Sequence, residues 1–299
     1  MGNTSLTTKI LKVITISSNN LDASQKEIII KFLIVMLDIQ NQRDINHTSY
    51  KIFSIIFNMC QYNKFLQETA AKAGIISHLL YFAKHRNFNK IALIMLFKMA
   101  SSGRICEGLL WENYHEILGL YFSLLDKQEY QASAFEAISK WLQEKTSEVE
   151  QIIILPENIN LILKAMDTAE ENSIESVLAF LHKIIQSSLH VSYSLAHEHF
   201  FKSLLQLSEH YQDFAIRFKL LKILRSLCDI NPQREFIINK YKLVEAIEKM
   251  SDVDSSSQVK ELAKGILSQQ YFSKEHFNQN FIGKYSLTKG LIVDIRKIW

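Results

Sequence analysis

Apolar residues recur along this chain with the spacing of helices rather than with the alternation of strands. Five segments share one pattern, in which an apolar helix ends in a polar residue followed by a large apolar residue. We call that large residue the anchor, and the five anchors are Met59, Met99, Trp141, Ile184 and Leu227. Successive anchors lie 40, 42, 43 and 43 residues apart. The chain is therefore predicted to be built from internal repeats.

A period of this length is typical of armadillo and HEAT repeats. A single helical hairpin cannot bury its apolar face, whereas stacked hairpins bury theirs against one another. The sequence thus predicts an all-α fold, an armadillo/HEAT-type α-solenoid superhelix of paired or tripled helices about ten residues long. A further helix pair is predicted from Lys9 to Leu37, its second helix starting at a capping box of Ser24 and Glu27. The anchor Trp141 is expected to be buried between neighbouring repeats.

The predicted repeat domain covers residues 1–270, and residues 271–299 form an aromatic and basic C-terminal tail or cap. The tail departs from the repeat pattern through its aromatic residues, which are Tyr271, Phe272, Phe277, Phe281, Tyr285 and Trp299. Two interpretations remain open. The tail caps the last repeat, which we favour, or it is an element of self-association.

Composition narrows the functional classes. With 2 prolines and 8 glycines, the chain fits neither a turn-rich β fold nor a Gly-rich phosphate loop. The net charge of +3 is spread along the chain, so we expect no nucleic-acid partner. The densest apolar stretch, Ile28 to Ile39, is interrupted by Lys31 and Asp38, and we expect no membrane span.

Catalytic motifs are missing from the sequence. It contains no nucleotide loop, HExxH, nucleophile elbow or kinase motif. Histidines cluster at His190, His197 and His199, but residues two apart on a helix point in different directions. We therefore predict no catalytic residues, no metal site and no cofactor.

The cysteines Cys60, Cys106 and Cys228 lie far apart and form no CxxC pair, which favours a reducing compartment such as the cytoplasm. Cys60 and Cys228 each follow an anchor, so both are predicted to be buried. Cys106 lies two residues after Arg104, whose charge could lower the pKa of the thiol. An enzyme that uses Cys106 is kept as an alternative, although no motif supports it.

The polar residue before each anchor gives the candidate binding site. In armadillo stacks this position on the third helix lines the concave groove. Asn58, Lys98, Lys140 and Lys183 occupy this position, whereas the fifth segment has Ser226 there, with Arg225 beside it and Lys222 one turn earlier. We call the following set the polar ladder: Asn58, Lys98, Lys140, Lys183, Lys222 and Arg225. Successive lysines at one structural position suit an acidic or phosphorylated extended peptide. A solvated helix face, where lysine is common, is the alternative interpretation.

The segment from about Ile91 to Leu163 resembles a known family. It includes Ala-x-x-Ala-Ile-x-x-Trp-Leu-x-Glu from Ala134 to Glu144, followed by Val149-Glu150 and Leu155-Pro156. This run is similar to the armadillo-like region that follows the kinase domain in the septation-initiation and mitotic-exit kinases of fungi, which are related to the Hippo group. The plant MAP-triple-kinase epsilon proteins share that region. The Ile-, Asn- and Lys-rich composition points to the mitotic-exit branch.

The resemblance implies a non-catalytic part of a cell-cycle kinase, targeted to the spindle pole body through a scaffold protein. It also implies control of kinase activity and self-association. We therefore expect a protein-interaction module that binds a phosphorylated or acidic scaffold segment. A dimerisation or autoinhibitory module of the same kinase is the second expectation. The third is an importin-type adaptor, although lysine at the ladder position has the wrong charge for basic cargo.

Overall fold

The computed structural model describes residues 2–17, 20–41, 47–84, 89–144 and 146–269. The described residues contain α-helices and no β-strand. The predicted all-α repeat fold is confirmed. The contacts between residues divide the chain into two compact units. Unit 1 runs from Met1 to Ser123, and unit 2 runs from Leu124 to Trp299.

Unit 1 contains two sets of three helices and two helices of a third set. The first set is α1 (Gly2–Ser17), α2 (Ala23–Asn41) and α3 (His47–Cys60), and the second is α4 (Lys64–Lys72), α5 (Ile75–Ala83) and α6 (Asn89–Ala100). The remaining two are α7 (Arg104–Trp111) and α8 (Tyr114–Ser123). Contacts of α2 with α3 and α4, and of α5 with α6, bury the core.

Unit 2 continues the three-helix pattern. It starts with α9 (Gln128–Glu144), α10 (Thr146–Ile153), α11 (Pro156–Asp167) and α12 (Glu171–Ser187). It continues with α13 (Leu189–Leu195), α14 (Glu198–His210), α15 (Phe214–Ile230), α16 (Arg234–Lys240), α17 (Leu243–Val253) and α18 (Ser257–Leu267). The third helix of each set packs against the third helix of the next, so α9, α12, α15 and α18 form a layer. Helices α9, α12 and α15 have 17 residues each, longer than the ten expected.

The anchors hold these sets together. All five are buried. Trp141 is only 2% exposed, which confirms the burial predicted for it. Each anchor lies on the apolar stripe of a third helix, where i, i+3, i+4 and i+7 spacing turns one face towards the core. The shared period therefore marks the packing positions of the repeat.

Helix starts were harder to predict. Helix α2 begins at Ala23, and its capping box is formed by Asp22 and Gln25, so the predicted pair Ser24 and Glu27 was wrong. The Gln25 amide donates to Asp22 Oδ1 at 2.8 Å, and the Asp22 amide donates to Gln25 Oε1 at 3.1 Å. The Asp22 carboxylate also interacts favourably with the positive end of the helix dipole.

The predicted boundary between a repeat domain and a tail, at residues 270 and 271, lies outside the described residues, as do the tail aromatics. It stays a prediction. The last described helix, α18, packs against α15 and α17. No described helix is long and apolar enough to cross a membrane.

Candidate peptide-binding surface

The layer of third helices in unit 2 leaves one face of each helix open. On α12 the core positions include Val177, Leu181 and Ile184, all buried. The opposite face carries Glu175 and Ala179, both exposed, followed by His182 and Lys183, which are half-buried. Because α12 packs between α9 and α15, open faces follow one another across the layer.

Three ladder lysines lie on consecutive helices of this layer. Lys140 is on α9, Lys183 on α12 and Lys222 on α15, and all three are half-buried. The Nζ atom of Lys222 lies 4.5 Å from the centroid of the Phe218 ring, a distance at which the cation is attracted to the ring. Partial burial of the aliphatic stem is usual for lysine and keeps the ammonium group near water.

His182 adds a titratable group to the same surface. Burial lowers the pKa of its imidazole below the usual value, and the positive charge of Lys222 lowers this pKa further. Lys222 on α15 and His182 on α12 are therefore close enough to interact electrostatically. His182 is not among the site residues that the sequence predicts. Its position immediately before Lys183 was the signal that could have placed it here.

Acidic residues also reach this surface. Glu175 on α12 forms an ion pair with Lys219 on α15. The exposed Arg225 is 3.4 Å from Asp229 Oδ2, measured from its Nε atom, within one helix turn. Among the described residues, Lys183 and Lys222 form no ion pair. The positive charge of these two lysines is thus available to an anionic ligand.

The remaining ladder residues belong to unit 1. Asn58 is exposed on α3, and Lys98 is half-buried on α6. The Lys98 Nζ atom lies 5.2 Å from the ring centroid of Tyr62, a side chain that is itself exposed. The polar ladder is therefore divided between the two units, and unit 2 brings together Lys140, Lys183 and Lys222 on packed helices.

The cysteines are all buried, as predicted for Cys60 and Cys228. Burial raises the pKa of Cys106 to about 11, against the effect expected of Arg104. Burial likewise raises the pKa of Cys60 and of Cys228 to about 12. A thiol with such a pKa is almost entirely protonated at neutral pH, which removes the basis for an activated nucleophile at Cys106.

The histidine cluster is resolved into separate contacts. His199 Nε2 lies 2.7 Å from Asp167 Oδ2, and Ser203 Oγ donates to the other oxygen of that carboxylate at 2.7 Å. His190 Nδ1 lies 3.0 Å from Glu150 Oε1. These contacts link the helix set α10–α12 to the set α13–α15. Nowhere in the described part of the chain do three His, Cys, Asp or Glu residues converge in a way that could hold a metal ion.

The fold defines a class, the all-α proteins of armadillo type. A designed armadillo repeat protein in complex with the peptide (KR)4 superposes with a TM-score of 0.58 at 14% sequence identity, covering 82% of this chain and 99% of that one. A computationally designed armadillo repeat protein for modular peptide recognition gives a TM-score of 0.61 at 16% identity, covering 81% of this chain and 100% of that one.

Sequence comparison identifies relatives. Cytokinesis protein sepH of Aspergillus terreus is 32% identical over 249 residues, which cover 81% of this chain and 18% of that protein. Cell division control protein 7 of Schizosaccharomyces pombe is 26% identical over 265 residues, 88% of this chain and 25% of that protein. MAP3K epsilon protein kinase 1 of Brassica napus is 27% identical over 248 residues, 81% of this chain and 19% of that protein.

The chain therefore spans about a fifth of the length of the first curated relatives it matches. A family model described as "Parkin co-regulated protein" matches residues 110–248. The matched family is not a kinase domain, and the chain has an armadillo-like fold. The chain thus has an armadillo-like, all-helical fold, and its homologues are cytokinesis, cell-division and kinase proteins.

Proposed function

We propose that this chain is the protein-interaction module of a cell-division kinase. In this proposal it binds an acidic or phosphorylated extended segment of a scaffold protein along α9, α12 and α15. The binding brings the kinase to the spindle pole body at mitotic exit or septation. Such a module would lie after the kinase domain of the longer protein.

The observation that carries the proposal is the occurrence of lysine on three successively packed helices. Lys140, Lys183 and Lys222 lie on α9, α12 and α15, and packed helices are about 10 Å apart. An extended peptide advances about 3.3 Å per residue. An anionic side chain at every third residue would therefore match the spacing of the helices.

The charge of this surface argues against the importin-type alternative. A basic cargo peptide would meet like charges at Lys183 and Lys222. Trp141 is buried, so its ring is not available to a bound peptide. The designed relative in complex with (KR)4 binds a basic peptide, and we expect that peptide to bind poorly here. A phosphorylated serine offers three acceptor oxygens and close to two negative charges.

The test is titration of a synthetic extended peptide with phosphoserine at every third residue. The double variant Lys183→Glu, Lys222→Glu should lose at least about tenfold in affinity, because two favourable charge contacts become repulsive. Binding of the wild type should weaken as salt rises, since exposed charges are screened. A fluorescent fusion of the longer protein should lose its spindle pole body signal with the same double variant.

A matched control uses exposed lysines of unit 2 that lie on second helices, Lys164 on α11 and Lys202 on α14. The variant Lys164→Glu, Lys202→Glu changes the net charge equally but leaves α9, α12 and α15 intact. It should bind like the wild type. Equal affinity of the two double variants would mean that the peptide binds elsewhere or through net charge alone.

A specific observation favours a second candidate function, dimerisation of the same kinase. Helix α2 exposes the apolar residues Ile28, Phe32, Val35 and Ile39, between 49% and 68% each. Their 4-3-4 spacing is that of a coiled-coil seam. Light scattering should show a dimer that Phe32→Asp with Val35→Asp converts to a monomer. A wild-type chain that is monomeric at high concentration would remove this candidate.

A further inference from the structure

Unit 1 carries a groove of its own. It lies between α1 and α3 and encloses about 390 Å³, within the usual range for ligand sites of about 300–1,000 Å³. Leu11 from α1 and Ile55 from α3 line it, and both are buried. The exposed side chains of Ile16 and Tyr50 also line it. The groove thus offers apolar surface to a ligand.

Two cations line the same groove. Lys12 comes from α1 and Lys51 from α3, and Asn58 of the polar ladder lies beside them. Neither α1 nor α3 contains an acidic residue. Within the described residues, Lys12 and Lys51 form no ion pair. The groove is therefore cationic without a compensating charge on either helix that forms it.

We propose that this groove binds an acidic protein segment through one apolar side chain and an adjacent carboxylate or phosphate. The apolar side chain would pack on the exposed Ile16 and Tyr50, and the anionic group would contact Lys12 and Lys51. The exposed apolar lining together with two uncompensated lysines favours this pairing over a free anion, which gains nothing from Ile16 and Tyr50. The inference rests on the proposed function for the class of partner but uses a separate site in unit 1.

The experiment uses the full chain and two synthetic acidic peptides, one with leucine next to a phosphoserine and one with serine in place of that leucine. The variant Lys12→Glu, Lys51→Glu should bind the leucine peptide about tenfold or more weakly than the wild type. The wild type should prefer the leucine peptide over the serine peptide. As a control, Lys9→Glu with Lys90→Glu changes two exposed lysines of unit 1 outside the groove, and it should bind normally.

Comparing the groove variant with the ladder variant separates this inference from the proposed function. Loss of binding in the Lys183→Glu, Lys222→Glu variant but not in the groove variant would overturn the groove and keep the proposed function. Loss in the groove variant alone would support the groove and contradict the ladder. Equal binding of the two peptides, or tighter binding to inorganic phosphate or to phosphatidylserine vesicles than to the leucine peptide, would overturn a peptide-specific groove. Protection of the Ser54 and Ile55 amides from hydrogen exchange by the leucine peptide would support it.

Discussion

The two units use the same three-helix repeat but expose different chemistry on their third helices. In unit 1, α3 and α6 contain no acidic residue, and their lysines lie beside apolar or aromatic groups, as Lys98 does at Tyr62. In unit 2, α9, α12 and α15 all contain acidic residues, and three cations of α15 form ion pairs, namely Arg217, Lys219 and Arg225. The repeat scaffold therefore fixes where a side chain lies, and the residue type at each position decides what the surface can bind.

Within each unit, the anchor positions determine stability and the ladder positions determine binding. Anchors are buried in both units, whereas the residue before the anchor varies from Asn58 to Lys183 without disturbing the helix. A position that tolerates such changes contributes little to the core. Substitutions at anchors should therefore unfold the chain, and substitutions at ladder positions should change only binding.

The largest expected effect is the loss of an anchor. Trp141→Ala removes a large side chain that is 2% exposed, and it should destabilise the protein by about 3–5 kcal/mol. Chemical denaturation followed by circular dichroism measures this loss. Lys140→Ala, one residue earlier in the same helix, should cost less than about 1 kcal/mol. Similar costs for the two variants would contradict the separation of core and surface.

The second-largest effect on the free energy of unfolding is expected from a buried ion pair of unit 2. Arg217 Nη1 lies 2.6 Å from Asp254 Oδ2, and Arg217 also donates to the carbonyls of Tyr211 and Ser208. Arg217→Met leaves the Asp254 carboxylate buried without its counter-charge, which should cost about 3 kcal/mol. The exposed pair Arg225–Asp229 is the comparison, because Arg225→Met should change the free energy of unfolding by less than about 1 kcal/mol.

A smaller effect concerns His182. Since burial and Lys222 lower its pKa, the folded protein binds a proton at His182 less readily than the unfolded chain, whose histidine pKa is about 6.5. The stability contribution of neutral His182 is therefore complete above that pH and is lost as pH falls from about 6.5 towards the folded pKa. In Lys222→Gln the pKa should rise and the loss should shrink.

NMR titration of the imidazole measures the pKa of His182 in the wild type and in Lys222→Gln. A bound phosphopeptide should raise the pKa of His182, because a nearby anion favours the charged form. Binding should then strengthen as pH falls through the range in which His182 gains its proton. A pKa of His182 that is unchanged by Lys222→Gln and by the peptide would contradict the proposed surface.

The smallest effect distinguishes equivalent turns in the two units. The turn between the first and second helices of a set contains Gly74 in unit 1, with φ +93°, and Lys242 in unit 2, with φ +52°. Left-handed backbone costs a residue with a Cβ atom about 1–2 kcal/mol, a cost that glycine escapes. Lys242→Gly should therefore stabilise unit 2 by up to about 1 kcal/mol, measured as a rise in Tm. A lower Tm would show that the lysine side chain contributes more than its backbone costs.

The sequence alone determined the repeat, because each helix set must place a large apolar residue at the same depth in the core. The period of 40–43 residues from Met59 to Leu227 therefore fixed the fold and the buried anchors. The same period shows that lysines share one repeat position. That position lies at the surface, where the fold leaves the residue type free. Local capping was less certain, because Asp22 and Ser24 are both good N-cap residues and only the helix start selects between them.

Tertiary structure decided the features that depend on residues far apart in sequence. Arg217 meets Asp254, and Lys222 acts on the pKa of His182, only because packed helices bring them together. The groove likewise exists only because α1 packs against α3, which places Lys12 and Lys51 along one lining. Such pairs leave no periodic pattern in the sequence, since one charge or hydroxyl at a surface position fits any helix. Their chemistry follows from which faces the repeat places side by side.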